Sequence, residues 1–276
     1  MTDPTGATDH TAVPAATDPA QVPIDVTLAL TGERTVPGIP AENYWFRRHE
    51  IAYEFIAPRC AGLRVLEAGS GEGYGAAMIA RTAASVDCVD YDEQAVAHTR
   101  RRYPEVTVTQ GNLIDLPQAD GAVDAVVNFQ VIEHLWDQPA FAAECRRVLT
   151  PAGLLAMSTP NRITFSPGRD TPLNPFHTRE LDAAELTELL TGAGFTVTAV
   201  LGVFHGPRLA ELDAKWGGSL IDAQIERALA GQPWPDELVA DVAGISAADF
   251  EIVDAADRNI DDSLDLLALA TAPGEA

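Results

Sequence analysis

From Arg64 onward, short apolar runs alternate with longer amphipathic segments, the pattern of parallel strands joined by crossover helices. The runs place strands at 64–68, 85–90, 106–110, 125–129 and 154–158. Helical spacing appears at 75–83, 93–102 and 139–149, the last halted by Thr150-Pro151-Ala152-Gly153, and again at 183–192. β-like segments at 195–200 and 264–270 complete the set. The expected fold is α/β: a Rossmann-like, seven-stranded, mostly parallel sheet with helices on both faces and a helical insertion. Ahead of the first strand, the stretch after Glu42 has helical spacing and carries Tyr44, Trp45, Phe46, Tyr53 and Phe55, so it reads as an ordered lead-in helix.

Two segments fall outside this alternation. Residues 1–26 are rich in Thr, Ala, Asp and Pro without periodicity, cannot bury enough surface to offset ordering entropy, and are expected to form a disordered tail. Residues 202–263 read as short acidic helices with Trp216, Trp234 and Asp261-Asp262, inserted into a domain made of 27–201 and 264–276. Variable chemistry on such scaffolds resides in loops and insertions, so this segment is expected to be an acceptor lid rather than a cap on the sheet edge.

Composition narrows the partners. A formal charge of −23 over 276 residues disfavours a nucleic-acid partner, because phosphate affinity comes from clustered Lys and Arg. Cys60, Cys88 and Cys145 are widely spaced and suggest neither a disulfide framework nor a zinc site. Neither a basic leader followed by an apolar run nor a membrane-length apolar stretch occurs, and the expected location is the cytoplasm. Nothing in the sequence reports the oligomeric state.

The strongest chemical signal is VLEAGSGEGYG, an apolar strand leading through Glu67 into Gly69, Gly71, Gly73 and Gly75 before a helix. Glycines there let the backbone turn tightly and approach a ligand, and the helix start favours an anionic group. A nucleotide-type ligand follows. Gly71-Glu72-Gly73-Tyr74-Gly75-Ala76 also fits the loose dinucleotide pattern, with Asp90 at a suitable distance for ribose, which keeps an NAD-dependent oxidoreductase in view. Against it, acidic Glu67 next to the glycines suits a ligand bearing sulfonium and ammonium groups better than a pyrophosphate.

LEAGSGEG, VDYDEQAV, GNLIDLP and VVNFQVIEHL follow successive strands, and with them the chain resembles the class I S-adenosylmethionine-dependent methyltransferases over about 60–200. The resemblance implies that Glu67, Gly69, Gly71 and Gly73 frame the amino-acid end of the cofactor. It implies Asp90 on the ribose hydroxyls, Tyr91 against the adenine, Asn112 and Leu113 at the adenine edge, and Asn128 to Gln130 beneath the methionine. Asn112 stands where the family commonly has Asp. The flanks TGERTVPGIPAENYWFRRHE, STPNRITFSPGRDTPLNPFHTREL, FHGPRL, GGSLIDAQI and RNIDDSLDLLALA are similar to mycobacterial sugar O-methyltransferases associated with methylglucose lipopolysaccharide synthesis. That similarity implies an α-glucan or related oligosaccharide acceptor methylated on oxygen, with the 6-hydroxyl as the position, and a methylmannose-polysaccharide enzyme as the near alternative. A protein that binds the cofactor without catalysis is the alternative of another class.

A sugar hydroxyl is a poor nucleophile at neutral pH and gains from a general base. His134, just after the fourth strand, is the first candidate, since strand C-termini form the ligand crevice of such sheets. His177, in NPFHTREL, is the second; His205 and His49 rank below. Arg47 and Arg48 could pair with the cofactor carboxylate, and Tyr44 and Trp45 read equally as core or as a sugar platform. Glu133, Asp137, Asp261 and Asp262 are oxygen donors that Mg2+ accepts, but their spacing fixes no site and no metal is assigned.

Overall fold

The computed structural model describes residue 28 and residues 34–274, so the expected tail over 1–26 lies outside the described residues. Five strands, β1 (Arg64–Ala68), β2 (Ser85–Asp90), β3 (Thr107–Gln110), β4 (Val123–Phe129) and β5 (Leu149–Pro160), run parallel in the order β3-β2-β1-β4-β5. The chain winds outward from β1 in one direction and then, through β4, in the other. Between the C-terminal ends of β1 and β4 this reversal opens a crevice.

Central β1 and β4 are almost wholly buried because helices cover both faces, whereas β3 at the edge is mostly exposed. On one face lie α1 (Asn43–Ile56), α2 (Tyr74–Ala80) and α3 (Glu93–Arg102), contributing Phe46, Tyr53, Ile79 and Val96 to the core. On the other lie α4 (Gln138–Val148) and, after the short α5 (Arg162–Phe165), α6 (Ala183–Gly192), contributing Phe141, Cys145, Leu186 and Leu190. Local chemistry sets the helix ends. The Asp92 side chain accepts from the Gln94 N–H and Arg100, Arg101 and Arg102 occupy the last turn of α3, while Asp182 and Glu185 form a capping box on α6.

The remainder of the sheet corrects the expected strand count. β6 (Thr196–His205) runs past the predicted end at 200, and β8 (Asp265–Thr271) inserts between β5 and β6, antiparallel to both. β7 (Phe250–Asp254) pairs antiparallel with β6 at the outer edge and makes the sheet 8-stranded rather than seven-stranded. This strand lies inside the segment read as wholly helical. As a five-residue edge strand with two exposed positions, it carries too little alternation to stand out. β5 likewise starts earlier than predicted: α4 does end just ahead of Thr150-Pro151-Ala152-Gly153, but that segment, with Ala152 at φ 60°, forms a bulge within the strand.

The insertion's helices, α7 (Pro207–Lys215), α8 (Leu220–Leu229) and α9 (Asp236–Ala243), build a third core with α1. Leu209, Leu220, Leu238 and Val242 pack there against Tyr44, Val203 and Phe250. Tyr44 is fully buried, and its hydroxyl donates to His205 Nε2 at 2.7 Å while His205 Nδ1–H donates to Asp213 at 2.6 Å. Tyr44 and His205 are therefore core residues. Arg48 on α1 makes a bidentate pair with Asp265 of β8, both contacts at 2.7 Å with side chains 3% and 1% exposed. This bond seats the lead-in helix on the sheet.

Candidate active site

A cleft of about 380 Å³ opens at the C-terminal ends of β1, β2 and β4, within the size range of small-molecule sites. Of the residues assigned in advance, Gly69, Gly71, Asp90, Tyr91, Asn112, Leu113, Gln130 and His134 line it. Its first wall is the glycine turn. Gly69 sits at φ +87°, and a Cβ added there would lie 2.6 Å from Val131, so this position needs glycine both for its backbone and for its neighbour. The Gly71 N–H donates to Asp90 at 2.7 Å and the Asp92 N–H to the other Asp90 oxygen at 2.9 Å. Asp90 thus joins the turn to the end of β2, and burial pushes its carboxyl above the usual aspartate range.

Four predicted residues stand behind the wall rather than in it. Glu67 is fully buried beneath the turn, and burial pushes its carboxyl up to about 8. Tyr53 and the Ala76 amide offset part of that rise, although neither closes a well-formed hydrogen bond to a carboxylate oxygen. Gly73, at φ +95°, caps α2 and faces Thr99 and Tyr103 of the neighbouring segment. Asn128 donates to the Ala68 carbonyl at 2.7 Å and ties β4 to β1 without lining the cleft. His177 lies behind His134, as described below. The amide oxygen of Asn112 is also engaged, by the Ile114 N–H at 3.2 Å.

The opposite wall comes from His49, a lower-ranked base candidate, and from residues given no site role beforehand: Arg34 and Thr35 from the segment before α1, Tyr53 from α1, and Tyr74 at the start of α2. Thr35 contacts the Tyr74 hydroxyl at 3.0 Å, and Arg34 pairs with Asp92. Arg34 Nη1 and Ser70 Oγ are buried without a hydrogen-bond partner. Burial pulls His49 down to about 4, so its ring is neutral near pH 7. The helical spacing of the lead-in marks a buried face but cannot show that this face meets the glycine turn, and Arg34 and Thr35 precede the helix with no signal of their own. Arg47 and Arg48 do not reach the cleft, being held by Glu50 and Asp265. None of the lining residues comes from 202–263.

At the far end stands His134 in a 3₁₀ turn after β4. Gln130, which leads into it, has φ 57°, a left-handed conformation rare for a side chain of this size, and is held there by its N–H to the Ser158 carbonyl (2.8 Å) and its amide to the Ser158 hydroxyl (3.0 Å). His134 Nδ1 lies 3.0 Å from the Phe176 carbonyl. A carbonyl only accepts, so Nδ1 carries a proton, and in the neutral ring Nε2 is then the accepting nitrogen. Beneath it, Glu133 accepts from the Thr159 hydroxyl at 3.0 Å, and burial raises its carboxyl to about 8.

Ligand atoms of Glu133, His134 and His177 come within 4.8 Å of one another, the one such grouping found among the described residues. Asp137 instead caps α4, and Asp261 and Asp262 sit in a turn near β8. Glu133, His134 and His177 are each engaged in hydrogen bonds to Thr159, to the Phe176 carbonyl, and to Asn174 and Glu180 respectively. This set needs no ion to satisfy it.

Residues 66–157 match the family described as "Methyltransferase domain". A Mycobacterium tuberculosis protein named as a probable S-adenosylmethionine-dependent methyltransferase is 66% identical, across 89% of this chain and 90% of its own length. A similarly named Mycolicibacterium smegmatis protein is 65% identical, across 89% and 96%. A ubiquinone biosynthesis O-methyltransferase of Rhizobium leguminosarum is 30% identical over 53% of this chain and 64% of its own. Among solved structures, a SAM-dependent methyltransferase of Thermotoga maritima superposes with a TM-score of 0.56 at 19% identity, covering 82% and 92% of the two chains. The [4+2]-cyclase SpnF reaches 0.54 at 22%, covering 81% and 80%. Likeness at such identities reports the fold alone, and a cyclase among them illustrates that one scaffold carries different reactions.

Proposed function

The chain belongs to the S-adenosylmethionine-dependent methyltransferases, and on that premise we propose that it methylates a sugar hydroxyl of an α-glucan or related oligosaccharide, with His134 as general base. Membership in this family removes the NAD-dependent oxidoreductase from consideration. The observation that carries O-methylation is the seating of His134: its Nδ1–H is directed to the Phe176 carbonyl, which in the neutral ring makes Nε2 the accepting nitrogen, on a residue that lines the cleft. The Rhizobium relative, itself named as an O-methyltransferase, supports the same reading. The sugar, the 6-hydroxyl and the setting in methylglucose lipopolysaccharide synthesis rest on the similarity of the flanking segments to mycobacterial sugar O-methyltransferases.

The cleft fits the cofactor chemically. Asp90 offers acceptors to ribose hydroxyls, Tyr91 and Leu113 offer faces to an adenine, and the orphan donors Arg34 Nη1 and Ser70 Oγ match a carboxylate. When bound, S-adenosylmethionine supplies an electrophilic methyl carbon on sulfur, transferred in line to a nucleophilic oxygen. The protein's work is then to position and to move one proton. Gly69 and Gly71 admit close backbone approach, α1 and Thr35 wall off water, and His134 Nε2 takes the hydroxyl proton as the oxygen–carbon bond forms.

The test is transfer of a labelled methyl group to a panel of short α-1,4-glucans, mannosides and phenolic acceptors, each with and without EDTA. Labelled glucan at an unchanged rate with EDTA is expected. Labelling of mannosides alone or phenols alone would replace the acceptor class, and loss of signal with EDTA would replace His134 as base with an ion held by Glu133, His134 and His177.

A further inference from the structure

We propose that segment 174–180 is a positioning device for the base: His177, Thr178 and Glu180 hold the Phe176 carbonyl on His134 Nδ1 and thereby fix the tautomer in which Nε2 accepts the acceptor's proton. This rests on the reading of His134 as base and gives His177, otherwise a second candidate for that role, a different task. His177 does not line the cleft, and both of its ring nitrogens are committed. Its Nδ1–H donates to Glu180 Oε1 at 2.7 Å, and its Nε2 accepts from the Asn174 amide at 3.1 Å. The orientation of that amide is itself set, because the Asn174 oxygen accepts the Phe176 N–H at 3.0 Å.

The His177 and Glu180 side chains are 5% and 1% exposed, and Glu180 Oε2 has no hydrogen-bond partner. Burying such a pair is costly, so its retention calls for a structural return. That return is the clamp on the turn that carries His134. The Thr178 N–H donates to the Glu133 carbonyl at 2.7 Å, and the Thr178 hydroxyl reaches the Glu133 and Leu135 carbonyls at 3.0 and 2.7 Å. The turn is thereby gripped on both sides of His134, while Phe176 holds the ring itself. The His177 ring stands edge-on to the His134 ring, with centroids 4.9 Å apart and planes at 84°, which limits rotation of His134. Which nitrogen of an imidazole bears the proton follows from the hydrogen bond its other nitrogen makes, and a general base in the wrong tautomer loses most of its effect.

The experiment is long-range 1H–15N NMR of the His134 ring in the full-length protein bound to S-adenosylhomocysteine, for wild type, Glu180→Gln, Glu180→Leu and Thr178→Val, with kcat and its pH profile on the same samples. Wild type should show a protonated Nδ1 and a bare Nε2. Glu180→Gln, whose amide oxygen still accepts from His177, should keep that state. Glu180→Leu and Thr178→Val should move the proton toward Nε2, with kcat lower on the order of tenfold or more and cofactor affinity unchanged. A wild-type proton on Nε2 overturns the proposal, as does a folded Glu180→Leu or Thr178→Val with an unaltered His134 spectrum and pH profile. Thr178→Val carries the test alone if Glu180→Leu does not fold. The spectra need no acceptor, so an error in the base assignment appears separately, as His134→Ala turning over at the wild-type rate.

Discussion

The two ends of the cleft are built in opposite ways. At the end assigned to the cofactor, the residues other than Arg34 sit at the end of β2 or in the turns directly after β1, β2 and β3, and the bonds that shape it are short in sequence, such as Gly71 to Asp90 across 19 positions. At the acceptor end, the wall combines α1 and the residues before it with the turn after β4, which the 174–180 loop holds from behind, and its seating depends on Arg48 meeting Asp265 across 217 positions. One end is written in contiguous motifs, the other in tertiary contacts. A substitution at the cofactor end should therefore act on binding, and one in the scaffold of the acceptor end should act on stability first.

The largest effect is expected where the acceptor end is bolted to the sheet. Arg48→Leu leaves Asp265 buried and unpaired and should cost about 3–5 kcal/mol in denaturant unfolding. An unfolding midpoint equal to wild type would mean that α1 is seated by its apolar face alone. Asp90→Ala should weaken S-adenosylmethionine binding by about 1.5–3 kcal/mol in calorimetry, the scale of hydrogen bonds to a charged group, with little change in global stability. Unchanged affinity there would remove the ribose assignment and with it the contrast between the ends.

A smaller effect separates two buried carboxyls, one at each end. Glu67 and Glu133 both rise from an ordinary value of 4.5 to about 8 through burial, so the folded state holds protons that the unfolded chain releases. Their contribution to stability is fully present below about pH 4.5 and is lost progressively as pH rises through about 8. Thermal unfolding between pH 5 and 8 should slope downward for wild type, and Glu67→Gln and Glu133→Gln should each flatten that slope. A slope that neither variant alters would place the pH dependence elsewhere.

This contrast also accounts for what the sequence reveals. β1, β2 and α3 are legible nearly to the residue because apolar runs, an Asp cap and an Arg-rich last turn coincide there. Gly69, Asp90 and Leu113, which the family resemblance assigns to the cofactor, line the cleft because they stand at or just beyond the ends of β1, β2 and β3. β7 is not legible, since an edge strand of five residues lacks strong alternation. Arg34 and Thr35 are not legible either, because only the packing of α1 brings them to the cleft. Glu67 illustrates the reverse: its motif position is plain, yet folding places it beneath the turn, where it shapes the site from behind. Tyr44 and Trp45, open in the sequence between core and platform, pack edge-on against each other at 5.2 Å in the core that joins α1 to the insertion.

The measurement that tests the central claim most directly is single-turnover methyl transfer from labelled S-adenosylmethionine to a short α-1,4-glucan by wild type and His134→Ala, with cofactor affinity measured on both. The expected result is labelled glucan from wild type, a loss in the variant on the order of 10²-fold, about 2.7 kcal/mol in the barrier, and equal cofactor affinity. Equal turnover by the two proteins, or cofactor binding without labelled sugar, would contradict the account.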